Sequence, residues 1–296
     1  MTAIERRKRR FAVAIPSSLV SDTPHLREKT VRVGLLARAA AIFRVDEVVI
    51  YAQGSRVDQG DAEFLKKILL YLETPQYLRK RMFPLSSEMQ YVGVLPPLRT
   101  PHHPLETRGQ VEPIAYRDGM VLGSDRDSAI VDIGRAKPVR VKGRGLQVGS
   151  RVTVKIARTA EGESLSVISR DDVPFYWGYE VSPSQNTLGE TVRRRHNELV
   201  IVTSKYGRSI LEELTNLRKR MKVASRVMIV FGSPREGVGE ILAREQLKPE
   251  DLSDLVLNTI PCQGTETVRT EEAVYATLAI LNVVGAKVET EAESGL

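Results

Sequence analysis

The sequence predicts an α/β protein that carries a small all-β barrel inserted between two α/β segments. A β-α-β pattern opens the chain, about five short strands occupy its middle, and helix and strand patterns alternate again after Pro174. Neither flank has enough strands for a complete sheet, so we expect both to fold together as one α/β domain. The predicted boundaries are residues 1–93 and 171–296 for that domain and residues 94–170 for the barrel.

The first segment begins with a strand, a helix and a second strand. Residues 11–15 form a short apolar run, and residues 45–52 are apolar except for Asp46 and Glu47, which is typical of a parallel strand covered on both faces. Between these strands, apolar residues at helical spacing predict a helix that ends near Phe43: Leu26, Val31, Leu35, Ala39 and Ile42.

Two more helices are predicted before the barrel. Residues 53–60 form a polar, glycine-containing loop, and residues 61–73 and 75–82 have helical patterns that Pro84 ends. An extended linker follows, because four prolines within nine residues are incompatible with a helix: Pro96, Pro97, Pro101 and Pro104. His102 and His103 lie between these prolines, and we expect them at the surface.

The middle of the chain has the pattern of a small barrel. Short alternating strands separated by Gly, Asp or Ser turns are predicted at residues 110–116, 129–133, 138–141, 151–156 and 164–168. About five strands at this spacing are typical of an OB-like barrel, a compact fold that often binds nucleic acids.

Alternation of strand and helix returns in the last third of the chain. Strands are predicted at residues 200–203, 226–231 and 255–258, and helices at residues 209–221, 240–246 and 270–284. Thr270 is expected to be the N-cap of the last helix, with Glu271 and Glu272 in its first turn.

Composition excludes several classes of protein. The 296 residues are 42% hydrophobic and 27% charged, which is close to the average of globular proteins. No apolar run approaches a membrane span, and the run 11–15 is too short for a signal peptide, so we expect a cytoplasmic protein without a membrane partner. Cys262 is the single cysteine and there are four histidines, so we expect neither a disulfide nor a metal site.

Charge indicates a polyanionic partner. The net charge is +7, and residues 117–158 contain ten basic and four acidic residues. We therefore expect the barrel to contact the phosphates of a nucleic acid, through Arg135, Lys137, Arg140, Lys142 and Arg144.

Two loops that follow predicted strands are candidates for a ligand site. The first, FGSPREGVG at residues 231–239, lacks the spacing of a dinucleotide-binding or P-loop motif, and its alternative interpretation is a plain strand-to-helix turn. The second, at residues 258–273, is dense in hydroxyl and amide groups; a capped helix explains residues 270–272 but not residues 258–263. In open α/β sheets, ligands bind at such strand ends.

Several segments together resemble the SPOUT, or α/β-knot, RNA methyltransferases. The resemblance rests on NTIPCQGTETVRTEEA at residues 258–273, FGSPREGVGE at 231–240, VDEVVIYA at 45–52, RVGLLAR at 32–38 and YWGY at 176–179. The most similar branch is the archaeal and eukaryotic one in which an OB-like barrel interrupts the catalytic domain. The resemblance implies a trefoil knot, a homodimer and S-adenosylmethionine as cofactor.

The resemblance also implies which residues hold the cofactor. The first loop would contribute Gly232, Ser233, Pro234 and Gly237, and the second would contribute Asn258, Thr259, Ile260 and Pro261. A third loop would contribute Gln263, Gly264, Thr265, Thr267 and Val268.

Two arginines are candidate catalytic residues. Arg38 matches the arginine of the N-x-G-x-x-x-R motif of ribose-methylating relatives, whereas Arg32 stands in place of the asparagine, which disfavours ribose methylation. Arg32 is also expected to contact RNA. The second candidate is Arg269, beside the third loop. The alternatives are an exposed helix arginine for Arg38 and a helix-positioning salt bridge for Arg269.

The predicted function is S-adenosylmethionine-dependent methylation of structured RNA. Ribosomal RNA is the expected substrate and a base nitrogen such as uridine N3 the expected acceptor. The alternative is a non-catalytic RNA-binding or ribosome-assembly factor that uses the knot as a dimerisation scaffold.

Overall fold

The computed structural model describes residues 5–53, 59–104 and 112–293. The chain divides into two compact units, each built from separate stretches of sequence. The α/β unit comprises residues 7–70, 88–96 and 179–296, and the barrel unit comprises residues 1–6, 71–87 and 97–178. Stretches from the first quarter and from the last part of the chain therefore belong to the same α/β unit.

The secondary structure consists of strands, helices and short 3-10 turns. The strands are β1 (Arg10–Pro16), β2 (Glu47–Tyr51), β3 (Ile114–Ser124), β4 (Ser128–Asp132), β5 (Val139–Lys142), β6 (Arg151–Thr159), β7 (Gly162–Ile168), β8 (Glu180–Pro183), β9 (Leu199–Ser209), β10 (Arg226–Val230) and β11 (Leu255–Asn258). The helices are α1 (Leu26–Ile42), α2 (Gln59–Glu73), α3 (Gln76–Met82), α4 (Leu188–Arg193), α5 (Ile210–Val223), α6 (Val238–Ala243) and α7 (Thr270–Glu293).

A six-stranded parallel sheet forms the centre of the α/β unit, in the order β11-β9-β10-β1-β2-β8. The predicted single α/β domain is confirmed in this respect, because β1 from the beginning of the chain pairs with β10 from the end, with Ala14 opposite Val230. Parallel neighbours place the carboxyl ends of these strands at one edge, where ligands bind in open α/β sheets.

Apolar residues cover the sheet on both faces. Ala14, Tyr51 and Val230 pack with Ile241 and Leu242 of α6 in one buried cluster. The alternating residues of the same strands are also buried, which explains the continuous apolar runs of β1 and β2. Helix α1 contacts α7, and α7 contacts α5.

Most predicted elements of the α/β unit are present with shifted ends. Helix α6 begins and ends earlier than predicted, and α7 extends beyond residue 284 to Glu293. Two short elements were not predicted, β8 and α4, because four and six residues are too few to show a clear periodicity. The predicted loop at residues 53–60 lies largely outside the described residues.

The barrel unit contains a closed five-stranded barrel with the order β3-β4-β5-β7-β6. Its pairings are antiparallel except for β5 with β7, which are parallel at Lys142 and Ser166. Its core contains Val121, Val131 and Val154. The predicted OB-like barrel agrees with this arrangement. Strand β3 is longer than predicted, and residues 110 and 111 of the predicted strand lie outside the described residues.

A buried charged cluster lies beside the barrel within the same unit. The carboxylate of Glu73 is 1% exposed and pairs with Arg151 and with Arg170, the latter at 2.8 Å. Burial would raise the pKa of Glu73, but the charges of Arg151 and Arg170 hold it well below its ordinary value. Arg151 also pairs with Asp118, and the indole Nε1 of Trp177 donates to Asp118 Oδ1 at 2.9 Å.

The prediction that His102 and His103 lie at the surface is wrong. His102 is fully buried, and the Nε2 atoms of both rings donate to the backbone carbonyl of Glu73, at 2.6 Å and 2.8 Å. Burial, together with the neighbouring His102, lowers the pKa of His103 to about 3. The surrounding prolines led to the prediction of an extended linker at the surface, but the segment that contains both histidines packs against the end of α2.

Candidate active site

A cavity of about 420 Å³ lies beside the middle of β9 and at the carboxyl ends of β10 and β11. Its volume falls in the range of small-molecule sites, roughly 300–1,000 Å³. Four segments of the α/β unit supply most of its lining: residues 203–206, residues 231–237, residues 258–260, and residue 263 with residues 266–268.

The first loop follows β10 and is held by side chains from neighbouring strands. The hydroxyl of Tyr51 donates to the carbonyl of Phe231 at 2.7 Å, and Gln53 Nε2 donates to Ser233 Oγ at 3.2 Å. A turn closes when Ser233 N donates to the carbonyl of Glu236 at 2.8 Å. These bonds fix the loop before any ligand is present.

Gly232 is the glycine that this loop requires. A Cβ atom at this position would lie 2.7 Å from the carbonyl oxygen of Glu236 and 3.0 Å from Gly237 Cα. Because both contacts are with backbone, a larger residue cannot be accommodated by side-chain movement. A Cβ at Gly237 would meet only the end of the Glu240 side chain, at 3.9 Å.

The second loop is organised by Asn258. Its Oδ1 accepts from Ile260 N at 3.0 Å, and its Nδ2 donates to the carbonyl of Lys205 at 3.1 Å. This side chain therefore ties the end of β11 to β9. Further along, Gln263 Nε2 donates to the carbonyls of Thr265 at 2.8 Å and Glu266 at 3.2 Å, which closes the third loop on itself.

The start of α7 connects the third loop to the first. Thr270 is the first residue of the helix, and its hydroxyl donates to the carbonyl of Gly232 at 3.0 Å instead of capping α7. Arg269 N donates to Glu272 Oε2 at 2.9 Å, so the cap lies one residue earlier than predicted. The two loops are thereby held against each other.

Most of the predicted cofactor-binding residues line this single cavity. They are Gly232, Ser233, Pro234, Gly237, Asn258, Thr259, Ile260, Gln263, Thr267 and Val268. Pro261, Gly264 and Thr265 belong to the same loops but do not line it. Gly264 has open space where a Cβ would stand.

Neither candidate catalytic arginine lines the cavity. Arg38 is half-buried on α1, and its charge lowers the pKa of Tyr275 on α7, although burial of that phenol outweighs this effect and raises it. Arg269 is exposed beside the third loop. Their catalytic roles stay predictions.

The prediction that Arg32 contacts RNA does not agree with its position. Its side chain is 6% exposed, and its Nε donates to Glu271 Oε1 at 2.7 Å. A second nitrogen donates to Asp22 at 2.5 Å and to Thr23 at 2.6 Å. The guanidinium is thus occupied within the protein.

The predicted RNA-binding residues of the barrel are mostly exposed. Lys137, Arg140, Lys142 and Arg144 are exposed, whereas Arg135 is half-buried and pairs with Glu163 at 2.7 Å. Arg140 and Arg144 form exposed ion pairs with Asp125 and Asp127, and exposed pairs contribute little stability.

Residues 203–206 are part of the site that the sequence analysis missed. Strand β9 was predicted to end at residue 203, yet it continues to Ser209 and its middle residues line the cavity. The signal available in the sequence was Lys205-Tyr206, a cation and an aromatic residue directly after a buried strand.

Comparison with known proteins identifies the family. Residues 10–281 match the family described as "Putative RNA methyltransferase". The chain belongs to this RNA methyltransferase family. The match covers both units, so the barrel is part of the family's architecture.

Individual relatives of this RNA methyltransferase span nearly its whole length. An uncharacterised protein of Haloarcula marismortui is 32% identical, over 92% of this chain and 98% of its own. The human 28S rRNA (uridine-N(3))-methyltransferase is 33% identical, over 92% of this chain and 77% of its own. The mouse protein of the same name is 31% identical, over 92% of this chain and 75% of its own.

Among the described residues, each helix is too short or too polar to cross a bilayer. Within the same ranges, no group of three or more His, Cys, Asp or Glu side chains is placed to hold a metal ion.

Proposed function

We propose that this enzyme transfers a methyl group from S-adenosylmethionine to N3 of a uridine in ribosomal RNA. The observation that carries the proposal is the cavity beside β9 and the carboxyl ends of β10 and β11, into which the loops of the family resemblance converge. The activity for which the human and mouse relatives are named supports the choice of uridine N3.

The residues of the cavity fit an adenosyl sulfonium. The volume of about 420 Å³ suits a ligand of this size. Gly232 allows the first loop to fold closely on itself at the cavity, and Gln263, Thr267 and Asn258 add polar side chains to the lining. When bound, S-adenosylmethionine would supply an electrophilic methyl group on sulfur.

We further propose that the enzyme is a homodimer with a knotted C-terminal region. Support for a dimer comes from α1, where Val31, Leu35 and Ile42 are 40%, 42% and 49% exposed and lie on one face. Arg38 lies on the same side of the helix. In a dimer formed through this face, the Arg38 side chain would lie at the surface of the partner subunit. This position is compatible with a role for Arg38 outside the cavity of its own subunit.

The barrel supplies phosphate contacts in this proposal. Lys137 and Lys142 are exposed, and within the described part of the chain neither has a carboxylate partner. Such lysines bind phosphate without reading the sequence of the RNA. Residues 94–170 remain our proposed boundaries for the inserted domain.

Mass spectrometry of ribosomal RNA nucleosides tests the proposed reaction. A deletion strain should lack one 3-methyluridine, and the purified protein with S-adenosylmethionine should restore it on RNA from that strain. Calorimetry with S-adenosylhomocysteine should show binding at the cavity. Binding of RNA without binding of S-adenosylhomocysteine at millimolar ligand would instead support a non-catalytic assembly factor.

A further inference from the structure

The loop that interrupts β9 brings two side chains to the cavity that the family resemblance did not include. Val202 pairs with Val256, and the next pair is Arg208 with Leu257, so residues 203–207 have no partner in β11. We refer to residues 203–207 as the β9 loop. Its residues 203–206 line the cavity.

The β9 loop is held in place at several points. Its Lys205 carbonyl accepts from Asn258 Nδ2 at 3.1 Å, and Tyr206 N donates to Ser204 Oγ at 3.2 Å. Gly207 lies so close to β11 that a Cβ would stand 2.8 Å from the carbonyl oxygen of Val256. The Lys205 and Tyr206 side chains therefore extend from a fixed backbone.

The ring of Tyr206 faces solvent at the edge of the cavity. It is 85% exposed and is the one aromatic among the exposed large hydrophobic side chains of the described ranges. Small-molecule sites enclose most of their ligand. A ring that is this exposed is therefore better placed to contact a molecule that approaches from solvent than a ligand enclosed in the cavity. The ammonium of Lys205 lies 5.1 Å from the centroid of this ring.

We infer that Lys205 and Tyr206 receive the target uracil: the ring stacks on the base, and the ammonium stabilises the negative charge that develops on it. This inference rests on the proposed function. Bases stack on exposed aromatic side chains in RNA-binding proteins, and a nucleotide that is chemically modified must leave its helix to reach an active site.

The charge balance of the reaction explains why a cation is needed. Uridine N3 carries a proton, so the N3–H bond breaks and the proton passes to water. The electron pair on N3 then forms the bond to the methyl carbon, while the pair of the carbon–sulfur bond remains on sulfur. Negative charge on the uracil carbonyl oxygens rises before methyl transfer, and a fixed cation lowers the barrier for that step.

Photocrosslinking tests the contact of Tyr206 without requiring methyl transfer. An oligouridylate containing 5-bromouridine is irradiated with the full-length protein, and the crosslinked peptide is identified by mass spectrometry. We expect the crosslink at Tyr206, retained in Tyr206→Phe and lost in Tyr206→Ala. Leu211→Ala, at another exposed apolar residue, is the matched control. A crosslink that is unchanged in Tyr206→Ala would overturn the stacking contact.

Kinetics separate base stacking from cofactor binding. For Tyr206→Ala, kcat/KM for a large-subunit ribosomal RNA transcript should fall about 10- to 100-fold, while the Kd for S-adenosylhomocysteine stays unchanged. A rise in that Kd by the same factor would mean that the ring binds the methyl donor, and the inference would be wrong.

A substrate with a more acidic N3 tests whether Lys205 stabilises negative charge on the uracil. Lys205→Ala should lower kcat by about 100-fold, with S-adenosylhomocysteine binding retained. A transcript containing 5-fluorouridine, whose N3 is more acidic, should recover much of the loss in Lys205→Ala but change wild type little. Lys219→Ala is the control, since Lys219 is exposed on α5. Equal effects of 5-fluorouridine on both proteins would refute the role of Lys205.

These outcomes also distinguish the inference from the proposed function. If wild type transfers no methyl group, the proposed function fails, and the crosslink still decides whether Tyr206 contacts a base. If wild type methylates uridine but both variants remain fully active, the inference alone fails.

Discussion

Arg32 and Glu271 form a buried ion pair in which Arg32 Nε donates to Glu271 Oε1 at 2.7 Å, and the two side chains are 6% and 3% exposed. Arg32 belongs to α1, and Glu271 is the second residue of α7, directly after the loop that ends at Arg269. The pair therefore connects α1 to the element that closes the cavity. Neither side chain lines the cavity, so the pair is a positioning contact outside the site.

Breaking this pair on one side should destabilise the protein strongly. Arg32→Met leaves the carboxylate of Glu271 buried without its partner, and we expect the free energy of unfolding to fall by about 3–5 kcal/mol. Urea unfolding monitored by circular dichroism measures the change. The double variant Arg32→Met/Glu271→Leu should lose less than the sum of the two single variants. Additive losses would show that the two residues act independently.

Two glycines of the cofactor loops should respond differently to alanine. Gly232→Ala places a Cβ 2.7 Å from a backbone oxygen, so the first loop must shift. We expect the Kd for S-adenosylhomocysteine to rise at least about tenfold, which corresponds to about 1.4 kcal/mol. Gly264→Ala enters open space outside the cavity lining and serves as the control. Calorimetry gives both values, and an unchanged Kd in Gly232→Ala would contradict the assignment of the first loop.

The half-buried His103 should make stability depend on pH. Its pKa is lowered to about 3 in the folded protein, mainly by burial. The unfolded chain binds a proton below about pH 6.5 that the folded protein does not. Stability should therefore fall by up to about 1.4 kcal/mol per pH unit as pH decreases from about 6.5 towards the folded value, and His103 contributes no slope above that window.

Thermal or urea unfolding at about pH 7 and about pH 5 measures this slope above the range in which carboxylates titrate. His103→Gln should flatten the slope, whereas His25→Gln, at an exposed histidine, should leave it unchanged. The same slope in wild type and His103→Gln would contradict the prediction.

The barrel lysines should contribute to the salt dependence of RNA binding. Each lysine that neutralises a phosphate steepens the fall of log affinity with log salt by about 0.7 on single-stranded RNA. Lys137→Gln/Lys142→Gln should therefore make the slope about 1.4 less steep. Filter binding across a salt series gives the slope. Lys219→Gln in the α/β unit is the matched control, and a slope equal to that of wild type would exclude these two lysines from the RNA interface.

The exposed apolar face of α1 should be needed for dimerisation. Leu35 is 42% exposed, and burying an aspartate there in an apolar interface is costly. We expect Leu35→Asp to sediment as a monomer at concentrations where wild type is a dimer. Leu211→Asp, at a residue of α5 that is 70% exposed, should leave the dimer intact. A dimeric Leu35→Asp would place the interface elsewhere.

The sequence alone determined the class of fold and the segments after β10 and β11 that line the cavity. Apolar runs identified β1, β2 and β10, alternation identified the barrel strands, and the loops after β10 and β11 contain ten residues of the cavity lining that were named in advance. These features are local, because periodicity and turn residues reflect contacts between neighbours along the chain.

Only the tertiary structure decided how distant segments meet. It buried Arg32 against Glu271 and His102 against Glu73, and it brought the β9 loop to the cavity through a bulge opposite β11. The local sequence around Arg32 does not show that its side chain is buried. Burial of an arginine depends on whether a distant segment supplies an opposite charge, as Glu271 does here. The alternating pattern predicted the strands of the barrel. Closure of the barrel through the pairing of β5 with β7 depends on the register of strands across the whole unit.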